Sequence, residues 1–145
     1  MSEQLFVLGM NGKLYFGDAG AALSAMTEMS NVKDVTGSME RGEADITTRA
    51  NSGWKASAPT LASCSVEFEM IWKPGDTGFE AIKTAFLTAG TLELAALDGD
   101  KTDGESGGIK GTFCVTNFSR KEALEEAMTV SVTCKLSAFD AFLPE

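Results

Sequence analysis

Apolar and polar residues alternate with period two through the middle and the C-terminal third of the chain, the pattern of strands that turn one face to a core. Across residues 64–72, Cys64, Val66, Phe68, Met70 and Trp72 share one face, while Ser65, Glu67, Glu69 and Ile71 share the other. Across residues 128–136, Met128, Val130, Val132, Cys134 and Leu136 oppose Thr129, Ser131, Thr133 and Lys135. A third run, residues 109–118, sets Phe113 and Val115 against Thr112, Cys114 and Thr116. Shorter strand candidates lie at 5–8, 14–16, 32–39 and 91–97.

One segment changes period. Lys73-Pro74-Gly75-Asp76 signals a turn, after which Phe79, Ile82, Phe86 and Ala89 recur every three or four residues. Thr77 and Glu80 have the spacing of a capping box, and Gly90 offers a left-handed residue to end the element. A single helix is expected over residues 77–89. The pattern as a whole predicts a mainly β fold, a β-sandwich or open barrel with that one flanking α-helix.

Two segments follow neither period. Residues 40–59 (ERGEADITTRANSGWKASAP) are charged and small, long for a connection, and hold Trp54 alone among polar neighbours. A large aromatic in such a place either tucks into its own core or anchors a partner surface. Residues 98–108 (DGDKTDGESGG) form an acidic, glycine-rich connection between strands. No linker or repeat divides the chain, so its 145 residues, 43% of them hydrophobic, are expected to fold as a single domain over 1–145.

Charge narrows the partners. The formal net charge of -9 argues against a protein that grips nucleic acid by its phosphates, which requires a basic footprint. It is compatible with a surface past which a duplex slides without adsorbing, because like charges raise the energy of every bound state.

Chemistry narrows them further. With no histidine, the chain cannot build Ser-His or Cys-His nucleophile pairs or imidazole zinc sites. Glu67 and Glu69 lie side by side on one strand face, where an acidic protein needs no chemistry to explain them. Asp98, Asp100 and Asp103 invite a calcium reading, but Asp103 falls where a calcium loop of that type needs glycine, and Ile109 where it needs glutamate. Gly107-Gly108 precede a strand and so make no phosphate cradle.

Cys64, Cys114 and Cys134 lack metal spacing and read as three buried, reduced thiols. The apolar run at 5–8 is short for a signal sequence and Glu3 stands where a basic region belongs, so the expected compartment is the cytoplasm, without a membrane span. No enzyme activity, catalytic residue, cofactor or metal is expected.

The stretch from Asn31 through Asp98 resembles the major tail tube proteins of long-tailed phages, especially those with non-contractile tails. The resemblance lies in an order of segments. Asn31-Val32-Lys33-Asp34-Val35 leads into Asp45-Ile46-Thr47-Thr48-Arg49 and Gly53-Trp54-Lys55-Ala56, then a small-residue turn at Pro59-Thr60-Leu61-Ala62. The strand from Ser65, the acidic turn, the short helix with Phe79 and Phe86, and a closing strand follow.

This resemblance implies a fold shared with contractile-tail and type VI secretion tube proteins, and a structural role in the virion tail, assembled in the host cytoplasm. Six copies close into a ring whose joined sheets line a channel for DNA, and rings stack through long loops. Tape-measure, chaperone and tail-terminator proteins are the further partners it implies. Carried onto this chain, it makes Arg41, Glu43, Asp45, Arg49, Trp54 and Lys55 candidates for ring stacking. Ser65, Glu67, Glu69, Thr112, Thr116, Thr129, Ser131 and Thr133 are candidates to face the lumen as a hydrated, negative wall, with Lys135 the exception. The alternatives are another part of the same fold, such as a tail-completion or type VI tube protein, or a calcium- or carbohydrate-binding β-sandwich.

Overall fold

A computed structural model of the chain describes residues 9, 12–102, 106–122 and 124–143. The strand candidate at 5–8 lies outside these residues. Among the described residues seven strands form one antiparallel sheet: β1 (Lys13–Asp18), β2 (Thr27–Glu28), β3 (Val32–Asp45), β4 (Ser57–Ile71), β5 (Thr91–Leu97), β6 (Gly108–Lys121) and β7 (Thr129–Leu143). The single α-helix among the described residues, α1 (Thr77–Thr88), crosses from β4 to β5. The expected mainly β architecture with one flanking helix is what the chain adopts.

The strand order, β2-β1-β5-β6-β7-β4-β3, places β2 and β3 at opposite ends of the sheet. Yet only Met29, Ser30 and Asn31 separate them. Four residue steps reach at most about 14 Å, whereas six strand spacings across a flat sheet span about 29 Å. The sheet must therefore curl into an open barrel. Hydrogen bonds mark the crossing: the Met29 amide donates to Leu14 O on β1, and the Ile71 amide on β4 donates to Asn31 O.

Period-two alternation fills the interior. Val66, Phe68 and Met70 of β4 meet Val130, Val132 and Cys134 of β7, with Leu92, Leu94 and Phe113 beyond them. α1 closes one end of this core with Phe79, Ile82 and Ala85. Phe79 sits edge-on to Trp72 at 5.0 Å and to Phe118 at 5.9 Å. Burying such a ring stabilises the fold by about 1.5–3 kcal/mol.

The helix boundaries shift from the sequence reading. Asp76, not Thr77, is the N-cap, its carboxylate accepting the Phe79 amide at 3.1 Å. A carboxylate there also meets the positive end of the helix dipole, which favours it over a hydroxyl. At the other end Ala89 takes the left-handed conformation (φ 56°), and the Gly90 amide then bonds to Ala85 O.

Three bulges interrupt the pairing of β6 with β7. Thr116 is the extra residue on β6, and Ser137 and Asp140 are extra residues on β7. The β6 bulge resets the alternation so that Phe118 rejoins the core. The two on β7 put Leu136, Phe139 and Phe142 on one side at three-residue spacing, opposite Phe113, Gly111 and Ile109. Cys64 and Cys134 are buried as expected, and burial pushes the Cys134 thiol up to about 12; Cys114 is only half-buried because it lies on the opposite face of β6.

Candidate functional site

β4 and β7 are partners only along part of their length. Ser65 to Ile71 of β4 pair with Lys135 to Thr129 of β7, and beyond Ser65 the two strands separate. β4 then pairs with β3 alone, so Glu40 to Asp45 and Ser57 to Ser63 form a two-stranded ribbon that leaves the barrel. The long loop expected over residues 40–59 is thus strand at both ends, at 40–45 and 57–59, with 46–56 as connection. Periodicity gave no sign of it because a ribbon in solvent on both faces has no apolar side to reveal.

The tip is ordered by its own polar groups. Thr47 Oγ1 accepts the Ala56 amide at 2.8 Å, the Ile46 amide donates to Ala56 O, and Asp45 Oδ1 accepts the Thr47 amide at 2.9 Å. Those Thr47 bonds hold the Asp45 carboxyl below its ordinary value. Thr48 caps a short 3-10 turn at Arg49–Asn51, and Ser52 and Gly53 follow with positive φ. The turn presents Trp54 outward, 78% exposed, beside Lys55. Ile46 and Leu61 are exposed on the same ribbon. Arg41 Nη1 donates across it to Thr60 O, and Arg41, Glu43, Asp45, Arg49 and Lys55 are all exposed.

The barrel wall offers a second surface. On the face opposite the core, three rows cross four strands: Ser38, Ser65, Lys135 and Cys114; Thr36, Glu67, Thr133 and Asn117; Lys33, Glu69, Ser131 and Ser119. Of the eight lumen candidates, Ser65, Glu67, Glu69, Ser131 and Thr133 belong to these rows. Thr116, at its bulge, donates to Thr133 O beside them. Thr129 continues the face on β7 but is buried, and Thr112 donates its hydroxyl to Glu93. Lys33 pairs with Glu69 at 3.4 Å, so the rows hold two acids and two lysines instead of the expected negative wall. The cross-strand partner of Glu69 was not legible before the register was known.

Sequence reasoning also missed a buried charge network. Glu93 and Lys110 are both buried on this face, with Lys110 Nζ 2.7 Å from Glu93 Oε2. Glu93 Oε1 accepts the Gly20 amide at 3.0 Å and Thr112 Oγ1 at 2.8 Å, while Lys110 also bonds to Asp140. Burial pushes the Glu93 carboxyl up, but the bonds from Lys110, Gly20 and Thr112 outweigh it and hold it below its ordinary value. For Lys110, burial pulls the ammonium down, and Asp140 and Glu93 more than restore it. The available signal was a glutamate, Glu93, between two leucines in the apolar run at 91–97.

In the acidic connection, Asp98 Oδ1 accepts the Gly107 amide and Asp100 Oδ1 accepts the Thr102 amide and hydroxyl. Asp103 lies outside the described residues, and among those described no three carboxylate or thiol groups converge as a metal site.

The fold has known counterparts. A tail structure of an empty gene transfer agent particle, refined with helical and C6 symmetry, superposes with a TM-score of 0.71 at 15% identity, covering 92% of this chain and 98% of that one. The SPP1 tail tube, from solid-state NMR and cryo-electron microscopy, gives 0.70 at 16% identity over 92% and 80%. The virion of a native gene transfer agent particle gives 0.69 at 16% identity over 92% and 98%. No curated protein matches the chain. The sequence model described as "Phage tail tube protein" matches residues 10–138, nearly the whole of the β architecture. The chain belongs to the phage tail tube protein family.

Proposed function

We propose that this protein is the repeating subunit of a virion tail tube, closing as rings of six that stack into a conduit for DNA. The carrying observation is the β3–β4 ribbon. Its tip is tied together by its own hydrogen bonds, it displays Ile46, Trp54 and Leu61 to solvent, and it has no core of its own. An ordered apolar projection of that kind gains nothing for a lone subunit and is suited to a neighbouring one. Arg41, Glu43, Asp45, Arg49 and Lys55 supply its polar rim.

The edges fit ring closure. β2 and β3 end the sheet, and the departure of β4 leaves the edge of β7 beyond Lys135 without a partner strand among the described residues. Unpaired edges invite strand addition, and a closed ring of identical subunits removes them. The polar rows around Glu67 and Thr133 then line the channel, hydrated and near neutral in their charged members, so that DNA passes without being held. Tape-measure, chaperone and terminator proteins are the partners this role requires.

The test is negative-stain electron microscopy of the purified protein at high concentration, with and without physiological salt. Long tubes or stacked sixfold rings with a central channel are expected. Single rings that never stack would point to a tail-completion role, and a sample that stays monomeric under both conditions would overturn the reading.

A further inference from the structure

The irregularities of the sheet are not spread evenly over it. β7 carries two, the extra residues Ser137 and Asp140, and both fall in the stretch beyond Lys135 that has no second partner strand among the described residues. From Thr129 to Lys135, where β4 also pairs with it, β7 has no extra residue, and the bulge there belongs to β6. The strands that end the sheet are interrupted as well. β2 is only two residues long, and β3 is broken near its start by Asp34, which takes φ 54° where the pairing shifts between Lys33 and Thr36.

Two contacts build the β7 bulges into the fold. Asp140 accepts from Lys110 Nζ at 2.5 Å, the second bond of an ammonium that Glu93 already holds. Gly111 pairs with Phe139, which lies between the two extra residues. A Cβ on Gly111 would meet Leu136 Cδ1 at 2.8 Å and Ala138 O at 2.9 Å, so the kinked β7 presses closer to β6 than a side chain would permit.

We propose that this double bulge is a guard on the subunit's open edge, which keeps a second copy of the chain from adding to it as a flat strand in solution. A bare edge is a row of unpaired amides and carbonyls that templates pairing with any extended chain. Each bulge leaves one residue out of the ladder and bends and twists its strand. Past Ser137 the regular runs are only Ala138–Phe139 and Ala141–Leu143, shorter than a strand that holds a straight partner. Phe139 and Phe142 are exposed beside this edge, the composition that makes an open edge adhesive when nothing blunts it. The guard acts on the lone subunit, so it goes beyond the tube reading and does not depend on it.

Deleting Ser137 tests the guard, because the flanking pairs of Leu136 with Phe113 and Ala138 with Thr112 then become consecutive and the ladder regular. Ser137 is exposed, so no core contact is lost. Once circular dichroism shows the variant folded, sedimentation velocity is expected to find it associating at about a tenth of the highest concentration at which the unmodified chain is monomeric. Electron microscopy of the products should show irregular oligomers in place of sixfold rings. A folded deletion variant that stays monomeric wherever the unmodified chain does would overturn the proposal.

Should the deletion unfold the chain, Asp140→Ala gives a second readout. It keeps the residue count and the Lys110–Glu93 pair, releases the bulge from its tie, and is expected to lower the same threshold by about threefold. A threshold unchanged or raised in that variant would overturn the guard. Failure of the unmodified chain to form tubes would remove the tube reading alone, since both comparisons are made on subunits in solution.

Discussion

Lys110 and Glu93 face each other at 2.7 Å with side-chain exposures of 7% and 1%, and the second bond of Lys110 goes to Asp140, the extra residue of a β7 bulge. One buried ammonium thus ties β5, β6 and the bulge that sets Phe139 and Phe142 on one side of β7.

Lys110→Met should destabilise the subunit by about 3–5 kcal/mol, because it leaves the Glu93 carboxylate buried without its counter-charge. Adding Glu93→Leu should recover most of that loss, since the orphaned charge goes with it. Chemical denaturation of the two variants decides the matter; a double variant as unstable as the single one would refute the explanation.

The pair also sets a pH window. Glu93 lies below its ordinary 4.5 in the fold, so its stabilisation is complete above that value and is lost as the pH falls through its lower folded one. Lys110 lies above 10.5, so its contribution is complete below that value and fades as the pH rises through its folded one. Melting temperature should be flat with respect to this pair between about pH 5 and pH 10. Glu93→Gln should flatten part of the acid-side fall, and an unaltered acid limb would count against the assignment.

Gly108→Ala should be among the most damaging single changes. A Cβ at Gly108 would lie 1.7 Å from Ala96 O on the paired strand, so β5 and β6 must part, at a cost of about 3 kcal/mol or more. Gly37→Ala is the control, since a Cβ there meets nothing within 4 Å. Urea unfolding of both variants should show a large loss for the first and a change within about 0.5 kcal/mol for the second.

Replacing residues 46–56 by a two-residue turn should leave the barrel folded, because this connection has no buried residue. Tubes should fail to form. Circular dichroism and electron microscopy together read the outcome, and tubes that persist without the tip would take stacking away from it.

Glu67→Lys with Glu69→Lys should leave tubes intact, since Glu67 is exposed and neither side chain packs in the core. The rows would then hold four lysines and no acid, and DNA should leave assembled particles more slowly. Ejection at the unmodified rate past so basic a face would show that these rows do not line the channel.

What the sequence disclosed follows the physics of burial. Cys64 to Met70 and Val130 to Leu136 alternate because a core lies on one side of them, so both strands and their inner faces were legible. The ribbon was not, because Glu40 to Asp45 answers to no core, and its pairing with Ser57 to Ser63 is a backbone property that side chains do not spell. Asp76 looked like part of a turn because a cap is both the end of one element and the beginning of another. The ion pair of Lys110 with Glu93 depended on register, and the exposure of Phe142 depended on where β4 leaves β7. Separation of two strands is a tertiary event without a local signature.

β3 and β4 pass from the barrel wall to the tip of the ribbon as two strands without an intervening loop, their pairing shifted at Lys33/Thr36 and at Arg41/Glu43. A pull on the tip is therefore directed along the strand axes and loads many backbone hydrogen bonds together in shear, instead of opening them one at a time. The projection is a tie rod whose anchor is the barrel itself, and tension applied at its tip is borne by the wall that encloses the core.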